Sequence, residues 1–128
     1  MRQRYGVCMG WAMYASPNTY IVINTEYHMA DFTPEEIQKV WEKGVIVSND
    51  YKDEWRKDQC GAWINRNQYG NRQSDYGWEC DHIKPDSKGG SDALYNIRPL
   101  HWKNNASRQA GRLKTVVTSE GNKNIVVG

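Results

Sequence analysis

Apolar positions along the chain fall into short, separated groups, and each group has its own period. Tyr20-Ile21-Val22-Ile23 is a β-branched run fit for a strand. Thr33, Pro34 and Glu36 then compose a helix start: a capping hydroxyl, a proline suited to the first turn, and an acid that can bond back to the cap. Ile37, Val40 and Trp41 share one face of that helix, and Gly44 supplies its stop. From Val45 to Gly77 no period survives. That stretch is polar and turn-rich, and Trp55, Trp63, Ile64 and Tyr69 stand in it as isolated anchors, so it reads as an irregular segment pinned to the core by rings.

Strand character returns at Trp78 to Ile83 and at Leu94 to Leu100, with Lys88-Gly89-Gly90-Ser91-Asp92 as the connecting loop, which predicts a long β-hairpin. Trp102 to Leu113 suits a helix, with Ala106, Ala110 and Leu113 on nearby positions and Gly111 weakening its end. Thr115 to Thr118 and Asn124 to Val127, around Glu120-Gly121-Asn122, predict a second hairpin. The chain therefore reads as one α+β domain over residues 1–128, without internal repeats and with a single modest core. Its parts are a leader with a possible strand (1–32), a helix and irregular aromatic segment (33–75), a hairpin-helix unit (76–113) and a tail (114–128).

Composition narrows the function classes. Six Trp and eight Tyr against one Phe point to a small core of amphipathic rings before they point to a base-stacking surface. The net charge of +2, from 17 basic and 15 acidic residues, is far from that of a protein coating nucleic acid non-specifically. Its distribution is uneven: residues 1–42 carry three basic and five acidic side chains, residues 43–114 thirteen and nine. Cys8, Cys60 and Cys80 are odd in number and far apart, matching neither a disulfide framework nor paired zinc knuckles, so a reducing cytoplasm is the expected setting. The opening MRQRYGVCMGWAMYA is too interrupted for a signal-peptide core or membrane span, and a soluble protein without a membrane partner is expected.

The candidate chemistry lies in the hairpin-helix unit. Asp81 and His82 place a hard oxygen ligand beside an imidazole that titrates near neutral pH. Asn96 and Asn105 offer amides that can ligate Mg²⁺ or fix a histidine tautomer. Each is ordinary alone. Cys80, on the strand leading into the site, reads as a buried structural thiol.

Together, Gly77-Trp78-Glu79-Cys80-Asp81-His82-Ile83-Lys84-Pro85, Ser87-Lys88-Gly89-Gly90-Ser91-Asp92, Asn96-Ile97-Arg98-Pro99-Leu100 and Asn104-Asn105-Ala106-Ser107-Arg108 resemble the HNH nuclease signature. The resemblance covers roughly residues 41–113, with weaker motifs in Trp55-Arg56-Lys57-Asp58, Gly61 and Tyr69-Gly70. It implies a ββα-metal motif (76–113) supplemented by the N-terminal helix and small β elements. It also assigns roles: Asp81 and Asn105 as metal ligands, His82 as general base, Asn96 as the residue orienting that histidine, and Arg108 as the basic residue near the scissile strand. Asn105 stands where other members have His, and is similar in this to the HNH domains of RNA-guided CRISPR nucleases. Many HNH proteins hold a structural zinc with two Cys-x-x-Cys pairs; the corresponding helix positions here are His101 and Asn104, so no structural zinc is expected.

By this resemblance His82 takes a proton from the attacking water, and one Mg²⁺ or Mn²⁺ stabilises the charge developing on the phosphate, giving 5′-phosphate and 3′-hydroxyl ends. Lys84, Lys88, Arg98, Lys103, Arg108 and Arg112 are candidates for tracking the backbone of a nucleic acid, DNA before RNA. Nothing resembles a base-reading element, so specificity is expected to be weak or to come from segment 45–77 or a protein partner. Strandedness, nicking against double-strand cutting, and oligomeric state stay open. So do three other classes of protein: a clamp that binds nucleic acid without cutting, the nuclease domain of a larger delivered toxin, and a zinc-built interaction domain. The cysteine count weighs against the last of these.

Overall fold

In the computed structural model, which describes residues 32–127, helix α1 (Pro34–Trp41) begins at the capping box that the sequence predicts. The Thr33 hydroxyl accepts from the Glu36 amide at 3.1 Å, and the Glu36 carboxylate accepts from the Thr33 amide at 3.0 Å. Ile37, Val40 and Trp41 form its buried face. At its far end the Arg56 guanidinium donates to the carbonyls of Glu42 (3.0 Å) and Gly44 (3.2 Å), placing positive charge where the helix leaves carbonyls unpaired. The strand expected at Tyr20 to Ile23 lies outside the described residues.

Segment 45–77 is more regular than its sequence predicts. Strands β1 (Trp55–Lys57) and β2 (Trp63–Asn65) pair antiparallel, with Arg56 opposite Ile64. Strand β3 (Trp78–His82) pairs antiparallel with β4 (Ile97–His101), setting Trp78 opposite His101, Asp81 opposite Arg98 and His82 opposite Ile97. The second strand starts later than expected because Leu94 to Asn96 wind into a 3-10 turn, and the Asn96 side chain is committed to the loop before it. Lys43, just past α1, pins this turn by donating to the carbonyls of Leu94 and Ile97.

Helix α2 (Trp102–Arg108) is shorter than the expected span to Leu113. It stops because Gln109 (φ 47°) and Ala110 (φ 66°) turn left-handed, while Arg108 folds back to the Gly111 carbonyl at 3.0 Å. The predicted tail hairpin is present as β5 (Val117–Glu120) and β6 (Lys123–Val126), turning at Gly121 with φ 59°. The described residues are thus α+β, with three two-stranded sheets. No helix among them is long and apolar enough to cross a membrane.

Strand β3 is buried on both faces. Its alternation sends Trp78 and Cys80 into the apolar cluster of Phe32, Ile37, Val40, Trp41, Ile64 and Ile97. There the Trp78 ring lies 5.3 Å from Trp41 and 4.8 Å from Tyr69. Burial pushes the Cys80 thiol up to about 12, which suits a packing role. Glu79 and Asp81 project from the other face toward α2.

A second, polar centre joins the start of α2 to its surroundings. The Asp58 carboxylate, 2% exposed, accepts from the amides of Cys60, Ala62 and His101 (2.9 Å each) and from Asn104 Nδ2 (3.0 Å). Asn104 passes the link on, its oxygen accepting from Val116 and Val117 at 2.8 Å each. Asp58→Ala would strand four donors and should destabilise the fold by roughly 3–5 kcal/mol in urea titration; a loss below about 1 kcal/mol would refute this role.

His101 is buried in the same region and hydrogen-bonded as a neutral ring: Nδ1 accepts from the Lys103 amide at 3.1 Å and Nε2 donates to the Asp75 carbonyl at 2.8 Å. Burial holds its pKa below the ordinary 6.5, so the unfolded chain takes up the proton first. Its contribution is therefore complete above pH 6.5 and lost as pH falls from that value toward the lower folded one. Stability should decline on going from pH 7 to about 5.5, and His101→Asn, which keeps a capping group, should flatten the decline. An equal slope in both proteins would assign the pH dependence to other groups.

Candidate active site

Because β3 alternates, its last two residues lead to different surroundings. Asp81, 6% exposed, faces α2, and its Oδ2 accepts from Arg98 Nε across the hairpin and from Arg108 Nη1, each at 2.7 Å. Its Oδ1 accepts no hydrogen bond from the described residues. Arg108 also donates to the carbonyls of His82 (2.6 Å) and Ile83 (3.3 Å) and is 8% exposed. It is a buried clasp between α2 and the end of the hairpin. Any contact with a scissile strand would require it to leave these partners.

His82 is half-buried at the strand end, its ring 6.3 Å from Phe32 and its Nε2 2.7 Å from Asp92 Oδ1. The expectation that Asn96 holds this ring by hydrogen bonding needs correction. The Asn96 oxygen accepts from the Lys84 amide at 2.8 Å, and its Nδ2 donates to the carbonyls of Lys84 (3.1 Å) and Ser91 (2.8 Å). The physical reason is the loop, whose backbone groups at Lys84 and Ser91 lack strand partners and are satisfied by this one amide. The closure is tight: a Cβ on Gly90 would lie 1.7 Å from the Lys84 carbonyl oxygen, so only glycine fits.

Asn105, on α2, donates Nδ2 to Glu79 Oε1 at 2.8 Å. Glu79 is 1% exposed and also receives both arms of Arg72, at 2.6 and 2.8 Å. Sequence reasoning passed over Glu79 and Arg72; the available signal was the strand period, which puts Glu79 on the same face as Asp81. Of the six basic candidates, Lys84, Lys88 and Arg112 are exposed, whereas Lys103 lies over the Trp102 ring at 5.3 Å. Arg98 and Arg108 are spent on Asp81, Arg98 reaching Gln59 as well at 3.2 Å.

Residues 60–109 match the family model described as HNH endonuclease. This segment belongs to the HNH endonuclease family. No curated protein and no solved structure matches the chain. The HNH segment runs from the Asp58-held loop to the end of α2 and contains Asp81, His82, Asn96, Asn105 and Arg108; Arg112 falls beyond it. Such a segment points to nuclease activity on nucleic acid, which HNH enzymes carry out with a divalent metal.

The donors here suit a hard ion. Among the described residues no three His, Cys, Asp or Glu side chains converge as a metal-holding group. Asp81 Oδ1 and the Asn105 oxygen, however, each receive no hydrogen bond from the described residues while the other polar atom of each is engaged. A carboxylate and an amide oxygen, completed by water, fit an oxygen-preferring divalent cation and not a thiolate-and-imidazole zinc site.

Asn96→Ala removes three hydrogen bonds from the loop and should cost about 2–4 kcal/mol. It should also accelerate hydrogen exchange at the Lys84 amide in native conditions. An unchanged exchange rate there would show that the loop does not depend on Asn96.

Proposed function

We propose that the protein is a metal-dependent endonuclease that hydrolyses phosphodiester bonds in DNA, with His82 as general base. The observation that carries this reading is the half-buried imidazole of His82 at the end of β3, next to Asp81 and inside the HNH segment. His82 accepts the proton of the attacking water, the new P–O bond forms opposite the 3′ oxygen, and that oxygen departs to give 5′-phosphate and 3′-hydroxyl ends. Asp81 and Asn105 would hold Mg²⁺ or Mn²⁺ through their available oxygens, and such an ion, when bound, supplies charge stabilisation at the phosphate. Hairpin β3–β4 and helix α2 are then the ββα-metal unit of the family.

Lys84, Lys88 and Arg112, exposed around this unit, suit non-specific backbone contacts, so a monomer would nick with weak sequence preference unless a protein partner adds selectivity.

On supercoiled plasmid with Mg²⁺, His82→Ala should nick more slowly by a factor on the order of 10²–10⁴, with folding retained. Asn105→Ala should raise the Mg²⁺ concentration needed for half-maximal rate, and chelation should stop cleavage without altering the tryptophan near-ultraviolet signal. Wild-type rates from folded His82→Ala would exclude the base, and unaltered cleavage in chelator would exclude the metal.

A further inference from the structure

We infer that Asp92 is the positioning residue of the base, holding the His82 ring in the tautomer that leaves Nδ1 to take the proton from water; the inference rests on the reading of His82 as general base. The carboxylate oxygen stands 2.7 Å from Nε2. An ionised carboxylate only accepts hydrogen bonds, so at this distance the ring nitrogen carries the hydrogen. In a neutral imidazole the other nitrogen then offers a lone pair.

The placement of Asp92 is itself determined by the loop. Ser91 precedes it, with its carbonyl held by Asn96 at 2.8 Å and its hydroxyl accepting from the Ala93 amide at 3.3 Å. The loop start is clamped by the same Asn96 through Lys84, and Gly90 permits the close approach. Asn96 therefore acts on the histidine at one remove: it shapes the turn that presents Asp92. During the reaction the proton from water goes to Nδ1, oxygen bonds to phosphorus, the P–O3′ bond breaks, and the leaving oxygen takes a proton from solvent. Nε2 keeps its own hydrogen on Asp92 throughout.

The test compares Asp92→Ala and Asp92→Asn with wild type. Imidazole ¹⁵N spectra at about pH 8.5, above the ordinary imidazole range, report the tautomer without requiring activity. Wild type should carry hydrogen on Nε2. Asp92→Ala should populate both tautomers and nick plasmid about 10- to 100-fold more slowly, with its Mg²⁺ requirement unchanged because no ligand is lost. Asp92→Asn, whose amide oxygen can still accept from Nε2, should keep the tautomer and recover most of the rate. Asp92 is partly exposed, its side chain at 43%, so neither variant should unfold the protein. Hydrogen on Nδ1 in wild type, or an unchanged tautomer in Asp92→Ala, overturns the inference. His82→Ala separates the two readings: full cleavage there removes the base itself, whereas an inactive His82→Ala beside a fully active Asp92→Ala removes only the positioning role.

Discussion

Three buried carboxylates govern how this chain is put together. Asp58, Glu79 and Asp81 are 2%, 1% and 6% exposed, and an ionised carboxylate at such depth is tolerable only when its oxygens are hydrogen-bonded. Each finds partners on other elements, and each has one on α2: Asn104 for Asp58, Asn105 for Glu79, Arg108 for Asp81. A seven-residue helix is too short to hold itself together in water. Here polar side chains, not an apolar stripe, fix it against β3. Its length and its docking follow from satisfying those acids.

The same arrangement creates a tension at the site. Two guanidinium groups converge on one oxygen of Asp81, and a divalent cation at the other oxygen would meet their charge. Under the proposed function, a bound phosphate backbone would supply negative charge to offset both. Ion and nucleic acid would then bind more tightly together than separately, a coupling that must be reciprocal. Arg98 is the more movable of the pair, since its side chain is 14% exposed against 5% for Arg108. Arg108, bonded to three carbonyls besides Asp81, is the part that stays.

How much of this was legible in the sequence depended on how local the signal was. The capping box of α1 is written in adjacent residues and forms as written. The β3–β4 hairpin and the tail hairpin have runs long enough to be recognised. Strands β1 and β2 were not legible because they span three residues each and the inward position of β1 is Arg56, with Trp55 and Lys57 half-exposed, so the pattern looks polar where the chain is buried. The end of α2 was missed for a related reason: Ala110 and Leu113 continue a helical spacing, but Arg108 draws the backbone toward Gly111. At the site, Asp81 and His82 were readable as neighbours. The partner of His82 was not, because Asn96 and Asp92 are both within reach by sequence, and only closure of the loop at Gly90 decides which one reaches the ring.

His101 and Asn104, the positions that the resemblance aligns with zinc-binding cysteines elsewhere, both belong to the Asp58 network. A metal bound at these positions would fix the start of α2 through bonds to one centre. Asp58 does this through four hydrogen bonds to one carboxylate, and bonds to a charged group are individually stronger than neutral ones. The substitution changes what the fold is sensitive to. A thiolate centre fails when the metal is withdrawn or the sulfur is oxidised, whereas this one weakens when the buried His101 ring gains a proton. Because hydrogen bonds hold this part of the scaffold, a chelator would withdraw the proposed catalytic ion without removing the support of α2.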